Sequence, residues 1–243
     1  MTKNLDNDGL RSIVENYDIF YIDLWGVVHN GITLHKNAIE ALEEITKANK
    51  DYVLLTNAPR PNKTVNSFLE KMGMNKEIRE KVYSSGEAAL NYLRKNSLEK
   101  KFYHVGPPRD FDLFLDFKKN KTIDIKESRY LLCTGLFEEQ GENLNYYKEQ
   151  FKDHLNKKMI CTNPDLIVDR GKKRELCAGS VALVFEKMGG EIIYFGKTKT
   201  TLALTPKSGL LSLSEKINGM RGPICSWTIC VPNLVSPVMD GIK

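Results

Sequence analysis

The chain has 243 residues and a mass of 27.7 kDa, and its 41% hydrophobic and 28% charged residues are typical of globular domains. This composition excludes a disordered or collagen-like chain, and no apolar run approaches the ~20 residues that span a bilayer. The net charge of +5 comes from short, scattered basic groups, which favours solvated surface over a nucleic-acid or membrane interface. Five widely spaced cysteines and an N-terminus without an apolar signal core predict a reduced, cytoplasmic protein.

The first strong segment is an apolar run over residues 18–28, rich in β-forming side chains. It predicts a strand that is buried on both faces, with Asp23 as the charged residue near its end. A buried carboxylate is costly unless it is paired or bound to a metal. We therefore place Asp23 at the carboxyl end of the strand, where open α/β sheets bind their ligands.

A strand–helix–strand unit follows from the next two segments. Apolar residues recur at helical spacing over residues 37–47, and a second apolar strand over 52–55 ends at Thr56 and Asn57. This order predicts a right-handed βαβ unit with parallel strands.

The remainder of the chain repeats the theme more loosely. The segments 102–105, 130–133, 159–161 and 191–195 resemble strands, while 144–155 and 176–188 carry helical patterns. Gly196 and Lys197 directly follow the last strand. The sequence therefore predicts an α/β fold with a Rossmann-like parallel sheet.

Polar residues thus follow three predicted strands, and parallel strands end at one edge of a sheet. An aspartate such as Asp23 can attack phosphorus, a hydroxyl and an amide such as Thr56 and Asn57 can hold phosphoryl oxygens, and Lys197 can offset anionic charge. Taken singly, each has a plainer interpretation: a carboxylate that caps a loop, a helix cap, and a solvated lysine.

The ordered set of motifs is similar to the haloacid dehalogenase (HAD) superfamily, and most similar to its NagD-like branch. The motifs are Asp23-Leu24-Trp25-Gly26-Val27, Leu54-Leu55-Thr56-Asn57, Thr162-Asn163-Pro164-Asp165 and Gly196-Lys197. The resemblance implies a HAD-like core formed by residues 1–80 and 166–204, an inserted α/β cap over 81–165, and an atypical tail over 205–243.

The resemblance also implies a function: a hydrolase that releases phosphate from a small phosphorylated metabolite through an aspartyl-phosphate intermediate. Asp23 matches the nucleophile, Lys197 the catalytic lysine, and Thr56 with Asn57 the phosphate-binding pair. Mg²⁺ would be held by the Asp23 carboxylate and the backbone carbonyl of Trp25, a sparse oxygen site that suits this ion. A homodimer is a further expectation.

Two departures from the family pattern bear on activity. Trp25 occupies the position of the usual acid/base aspartate and can supply neither role, although it is also typical of a NagD-like subgroup. The family's late acidic motif has no match, and only six of the 39 residues from Thr205 to Lys243 are charged. A replaced tail of this kind is expected from a frameshift or a decayed gene. The alternatives are an inactive HAD-fold remnant or ligand-binding protein and, more weakly, a nucleotide-binding regulator.

Several other residues receive plain interpretations. His29 and His35 follow the first strand and could approach the site, but loop histidines are more often surface residues, and this is the prediction for both. Asp165 and Asp169 are predicted to lie on the cap side without a catalytic role. The cysteines at positions 133, 161 and 177 are predicted to be buried, small apolar residues.

Overall fold

The computed structural model describes residues 10–170, 173–197 and 224–225. The chain divides by its internal packing into two compact units. The first unit contains residues 1–56, 66–82 and 218–243, and the second contains 57–65 and 83–217.

The first sheet has the strand order β11–β1–β2–β3. Strand β1 pairs in parallel with β2, from Ile19 opposite Asp51 to Asp23 opposite Leu55, and it also pairs in parallel with β11. This pairing confirms the predicted parallel βαβ unit. The strands are β1 Ile19–Asp23, β2 Asp51–Thr56, β3 Val82–Ser84 and β11 Ile224–Cys225.

The helices near this sheet follow the predicted pattern of apolar spacing. Helix α1, Lys36–Lys47, buries Ala38, Leu42 and Ile45, which lie three or four residues apart on one face. Helix α2 starts directly after Pro61, and Asn75 caps α3 by accepting from the Glu77 N–H at 3.0 Å. Their bounds are α2 Asn62–Lys71 and α3 Lys76–Arg79.

The second unit contains a five-stranded sheet in the order β10–β7–β6–β4–β5, and all of its pairs are parallel. Its strands are β4 Phe102–Val105, β5 Lys121–Thr122, β6 Tyr130–Cys133, β7 Lys158–Cys161 and β10 Glu191–Tyr194. Its helices are α4 Ser85–Asn96, α5 Leu144–Phe151 and α6 Ala178–Lys187, with 3₁₀ segments at Pro108–Asn120, Ile125–Glu127 and Glu138–Gln140.

Both faces of this sheet are buried, because successive strand residues point to opposite sides. Leu131 and Met159 belong to one core cluster with residues of α5 and α6. Leu132 and Ile160, their immediate neighbours in the chain, belong to a second cluster with residues of α4 and the Pro108–Asn120 segment. The continuous apolar strands predicted from the sequence are therefore explained by helical layers on both sides.

An antiparallel hairpin was not predicted. It consists of β8 Ile167–Arg170 and β9 Lys173–Leu176, and α6 begins only at Ala178. Because β9 consists mostly of charged residues, it lacks the apolar periodicity from which a strand is predicted. Asp169 and Arg174 face each other in its register and form a salt bridge at 2.8 Å.

Helix α6 and strand β10 belong to the second unit, since β10 pairs with β7 and β7 pairs with β6. The sequence-based assignment of residues 1–80 and 166–204 to a core stays a prediction. The assignment of 81–165 as a cap stays a prediction, and the tail over 205–243 lies outside the described residues except for β11.

Other expectations from the sequence concern the cysteines and membrane segments. Cys133, Cys161 and Cys177 are free and buried, as predicted. In the part of the chain that the structure describes, no helix combines the length and apolar character needed to cross a bilayer.

Candidate active site

Asp23 and Thr56 lie at the same edge of the first sheet. Asp23 ends β1 opposite Leu55, and Thr56 follows Leu55 as the last residue of β2. The pairing continues one step further, because the Leu24 N–H donates to the Leu55 carbonyl at 2.9 Å. Asp23 is partly buried and Thr56 is buried. The sheet thus brings together the carboxylate and the hydroxyl that the sequence placed at two strand ends.

The chain after Asp23 folds into a tight loop around His29. The Val28 N–H donates to the Leu24 carbonyl at 3.0 Å, and the Gly26 N–H donates to the His29 carbonyl at 2.8 Å. His29 is only 2% exposed, so its prediction as a surface residue is wrong. Its ring is enclosed by apolar partners, which the sequence pattern alone did not indicate.

The imidazole of His29 is held neutral by its surroundings. Burial, aided by the nearby His35, lowers its pKa to about 4, while the negative charge of Asp23 opposes this shift. Its Nδ1 accepts from the Gly31 N–H at 2.9 Å, so the proton of the neutral ring is assigned to Nε2.

Trp25 packs against its own loop. Its indole meets the His29 ring edge-on, with centroids 5.2 Å apart and an interplanar angle of 78°. Gly31 has a φ of +87°, and a Cβ there would lie 2.6 Å from the indole Cη2. Glycine is required at this position both by the backbone conformation and by the approach of the ring. Trp25 is therefore an aromatic side chain anchored by packing.

In the second unit, Asn57, Asp165 and Lys197 form a hydrogen-bonded cluster. The Asn57 Nδ2 donates to Asp165 Oδ1 at 2.7 Å and to the Lys197 carbonyl at 3.1 Å. Its Oδ1 accepts from the Lys197 N–H at 2.6 Å. Lys197 is partly buried, unlike an ordinary surface lysine, and Asn57 is 8% exposed. The structure thus unites two predicted site residues and adds Asp165, for which the sequence predicted no role.

A further polar network in this unit was not predicted from the sequence. Arg60 forms salt bridges with Asp112 at 2.8 Å and with Asp110 at 3.5 Å. Burial raises the pKa of Asp110 to about 6, while a Thr134 hydrogen bond and Arg60 oppose the shift. His104 Nε2 lies 2.8 Å from Thr134 Oγ1, and burial followed by Lys121 lowers its pKa to about 3. No motif spacing marked these residues, because the fold joins them across long sequence separations.

The oxygen donors after β1 fit a Mg²⁺ ion in their chemistry. The Asp23 carboxylate and the Trp25 backbone carbonyl are hard ligands, and Mg²⁺ keeps several waters when it binds few protein groups. Among residues 10–170, 173–197 and 224–225, no group of three or more histidine, cysteine, aspartate or glutamate side chains could hold a metal ion. The described donors therefore suit a sparse site completed by water and substrate oxygens.

Comparison with known proteins shows similarity to one family. Residues 20–117 match the family model of haloacid dehalogenase-like hydrolases. A haloacid dehalogenase-like hydrolase from Brucella suis is 29% identical, with a TM-score of 0.72 and coverage of 86% of this chain and 76% of that one. No curated protein matched.

Two further solved structures share the fold at lower identity. The 4-nitrophenylphosphatase from Thermotoga maritima is 18% identical, with a TM-score of 0.61 over 86% of this chain and 76% of its own. A structure described as a NagD protein is 19% identical, with a TM-score of 0.61 over 85% and 78% of the two chains. Together with the strand-end motifs, these similarities show that the chain resembles haloacid dehalogenase-like hydrolases and shares the fold of a NagD protein.

Proposed function

We propose that this protein is a phosphatase that hydrolyses a small phosphorylated metabolite through an aspartyl-phosphate on Asp23. One observation carries the proposal: Asp23 and Thr56 end neighbouring parallel strands at one sheet edge. Open α/β sheets bind their ligands at this edge. The 4-nitrophenylphosphatase of similar fold supports phosphate-ester chemistry as the class.

The chemistry would proceed in two displacement steps. An Asp23 carboxylate oxygen attacks phosphorus, the bond to the leaving oxygen breaks, and the alcohol departs after taking a proton from solvent. Water then attacks the phosphorus of the aspartyl-phosphate, which releases inorganic phosphate and restores the carboxylate. In this proposal Thr56 donates its hydroxyl proton to a phosphoryl oxygen, and Lys197 offsets the charge of the anions.

The proposal includes Mg²⁺ held by Asp23 and the Trp25 carbonyl, where the ion supplies positive charge against the phosphoryl oxygens when bound. It also includes residues 81–165 as a cap that closes over the leaving group, a cytoplasmic location and a homodimer. These parts derive from the family resemblance and from cysteine usage.

The test is turnover of 4-nitrophenyl phosphate and a panel of sugar and nucleoside phosphates with Mg²⁺ present. We expect release of phosphate that falls at least about 10³-fold in Asp23→Asn, since an amide cannot replace the nucleophile. Asp18→Asn is the matched control, because Asp18 precedes the opposite end of β1 and is 56% exposed beside Lys50. Equal activity of Asp23→Asn and Asp18→Asn would exclude Asp23 as the nucleophile.

A second candidate is a protein that binds phosphate esters without turnover. The anchored Trp25 favours it, because this ring stands at the acid/base position and cannot transfer a proton. Loss of general acid–base catalysis costs typically about 10²–10⁴-fold in rate without abolishing binding. Calorimetric binding of a phosphate ester that the protein does not hydrolyse would support this second function over the first.

A further inference from the structure

The Asn57 side chain has no amide proton left for a phosphate. An asparagine carries two amide protons and one carbonyl oxygen. One proton goes to Asp165 Oδ1 and the other to the Lys197 carbonyl, while the oxygen accepts from the Lys197 N–H. Rotating the amide by 180° would set oxygen against oxygen and N–H against N–H, so the partners determine its orientation. A remaining lone pair on Oδ1 would repel an anion.

The Asp165 side of this cluster is held by the start of α6. The Asp165 N–H donates to Asn163 Oδ1 at 2.9 Å, and the Gly179 N–H donates to the Asp165 carbonyl at 3.1 Å. A Cβ on Gly179 would lie 2.5 Å from that carbonyl oxygen, so the helix backbone touches the loop. Asp165 is therefore a fixed acceptor for the Asn57 amide.

The Asn57 side is held by the start of α4. Ser85 Oγ donates its one proton to the Thr162 carbonyl at 2.6 Å and lies 3.1 Å from the Ala58 carbonyl oxygen. The Gly86 N–H donates to the Ala58 carbonyl, at 3.1 Å. The start of α4 thus contacts two segments of the chain: Ala58, next to Asn57, and Thr162, next to Asn163.

Gly196 allows the backbone of Lys197 to approach Asn57 closely. The glycine has a φ of +139°, and a Cβ there would lie 2.6 Å from Asn57 Oδ1 and 2.5 Å from Pro164 Cδ. The close approach lets the Lys197 backbone reach the amide with both its N–H and its carbonyl. The backbone of the lysine is consequently tied to one side chain by two hydrogen bonds.

We propose that Asn57 is a positioning residue that ties Lys197 to Asp165, and that it is not itself a phosphate ligand. This assignment rests on the proposed function of Lys197 and changes the role that the sequence predicted for Asn57. A lysine ammonium sits on a flexible four-carbon stem, so its placement depends on how firmly its backbone is held. Displacement of a charged group by about 1 Å can cost about 10²-fold in rate.

The decisive experiment exchanges the donor and the acceptor in the hydrogen bond between the side chains of Asn57 and Asp165. Asn57→Asp sets a carboxylate against Asp165 and the Lys197 carbonyl, and we expect kcat/KM for 4-nitrophenyl phosphate to fall by about 10²-fold. Adding Asp165→Asn restores a donor opposite an acceptor, and we expect the double variant to recover at least about tenfold. Recovery is expected of a positioning pair. A loss that is the same with and without Asp165→Asn would overturn the proposal, because a phosphate ligand would act independently of Asp165.

Hydrogen exchange of the Lys197 amide tests the same tie without any turnover. We expect Asn57→Ala to accelerate exchange of this amide, whereas Asn66→Ala leaves it unchanged. Asn66 is a matched control in the first unit, since its amide donates to the Arg79 carbonyl at 3.1 Å. Fast exchange only in Asn57→Ala supports the tie even if the wild type hydrolyses no ester, in which case only the proposed function fails. Equal exchange in wild type and Asn57→Ala overturns the tie.

Discussion

The rings of Trp25 and His29 meet edge-on, 5.2 Å apart, directly after the strand that ends in Asp23. His29 also contacts Phe68 edge-on at 5.9 Å. A neutral, buried imidazole is thus the packing centre of the loop that carries Trp25.

We expect His29→Ala to destabilise the protein by about 2–4 kcal/mol, because it leaves a cavity beside Trp25 and Phe68 and removes the acceptor for the Gly31 N–H. Urea denaturation followed by tryptophan fluorescence measures the change. His35→Ala is the control, since His35 is only partly buried. A loss below about 0.5 kcal/mol would contradict the packing role of His29.

The pH dependence of stability should carry opposing contributions from the buried groups. The pKa values of His29 and His104 are lowered to about 4 and about 3, so the unfolded chain binds more protons below pH 6.5. Stability from these residues is therefore lost as the pH falls from about 6.5 toward 4. The pKa of Asp110 is raised to about 6, so the folded chain binds more protons between pH 6 and 3.8 and gains stability there.

We expect Asp110→Asn to steepen the loss of stability on acidification, because it removes the one opposing contribution described above. The groups that act on Asp110 are Arg60, Arg109, Asp112 and Thr134. Urea midpoints measured from pH 7 to 4.5 for wild type and variant give the two slopes. A shallower slope in the variant would mean that the Asp110 pKa is not raised.

Gly196→Ala tests the close approach of the chain to Asn57. We expect a loss of stability larger than that of Gly189→Ala, and a fall in phosphatase activity that Gly189→Ala does not share. Both glycines have positive φ, +139° and +97°, but a Cβ at Gly189 has open space around it. The φ strain alone costs about 1–2 kcal/mol, and overpacking adds about 1–3 kcal/mol. Equal losses in thermal melts of the two variants would show that the contact with Asn57 is unimportant.

The rate should depend strongly on the leaving group, because Trp25 cannot protonate it. We expect kcat/KM for 4-nitrophenyl phosphate to exceed that for an alkyl phosphate such as glycerol phosphate by about 10²–10⁴-fold. The nitrophenolate departs without a proton, whereas an alkoxide needs one. Similar rates for both esters would indicate that another residue of this chain acts as the acid.

Much of the fold followed from local pattern. The segments 102–105 and 130–133 were predicted with the observed bounds, since strands buried on both faces are continuous apolar runs. The placement of Asp23 and Thr56 at one sheet edge also followed, because parallel strands end at one edge. The hairpin β8–β9 did not, since the charged residues of β9 interrupt the apolar pattern.

The sequence by itself determined which residues stand at the strand ends, because apolar periodicity and strand order are local properties of the chain. The tertiary structure decided which partners those residues meet there. The sequence predicts that Asn57 contacts phosphate beside Thr56. In the structure its partners lie 108 and 140 residues away along the chain. Two hydrogen bonds use both of its amide protons, and a third uses its carbonyl oxygen as acceptor. The burial of His29 likewise depends on Phe68, which arrives from a later helix. The chain of 243 residues is ample for two compact units, and long-range contacts assign α6 and β10 to the second of them.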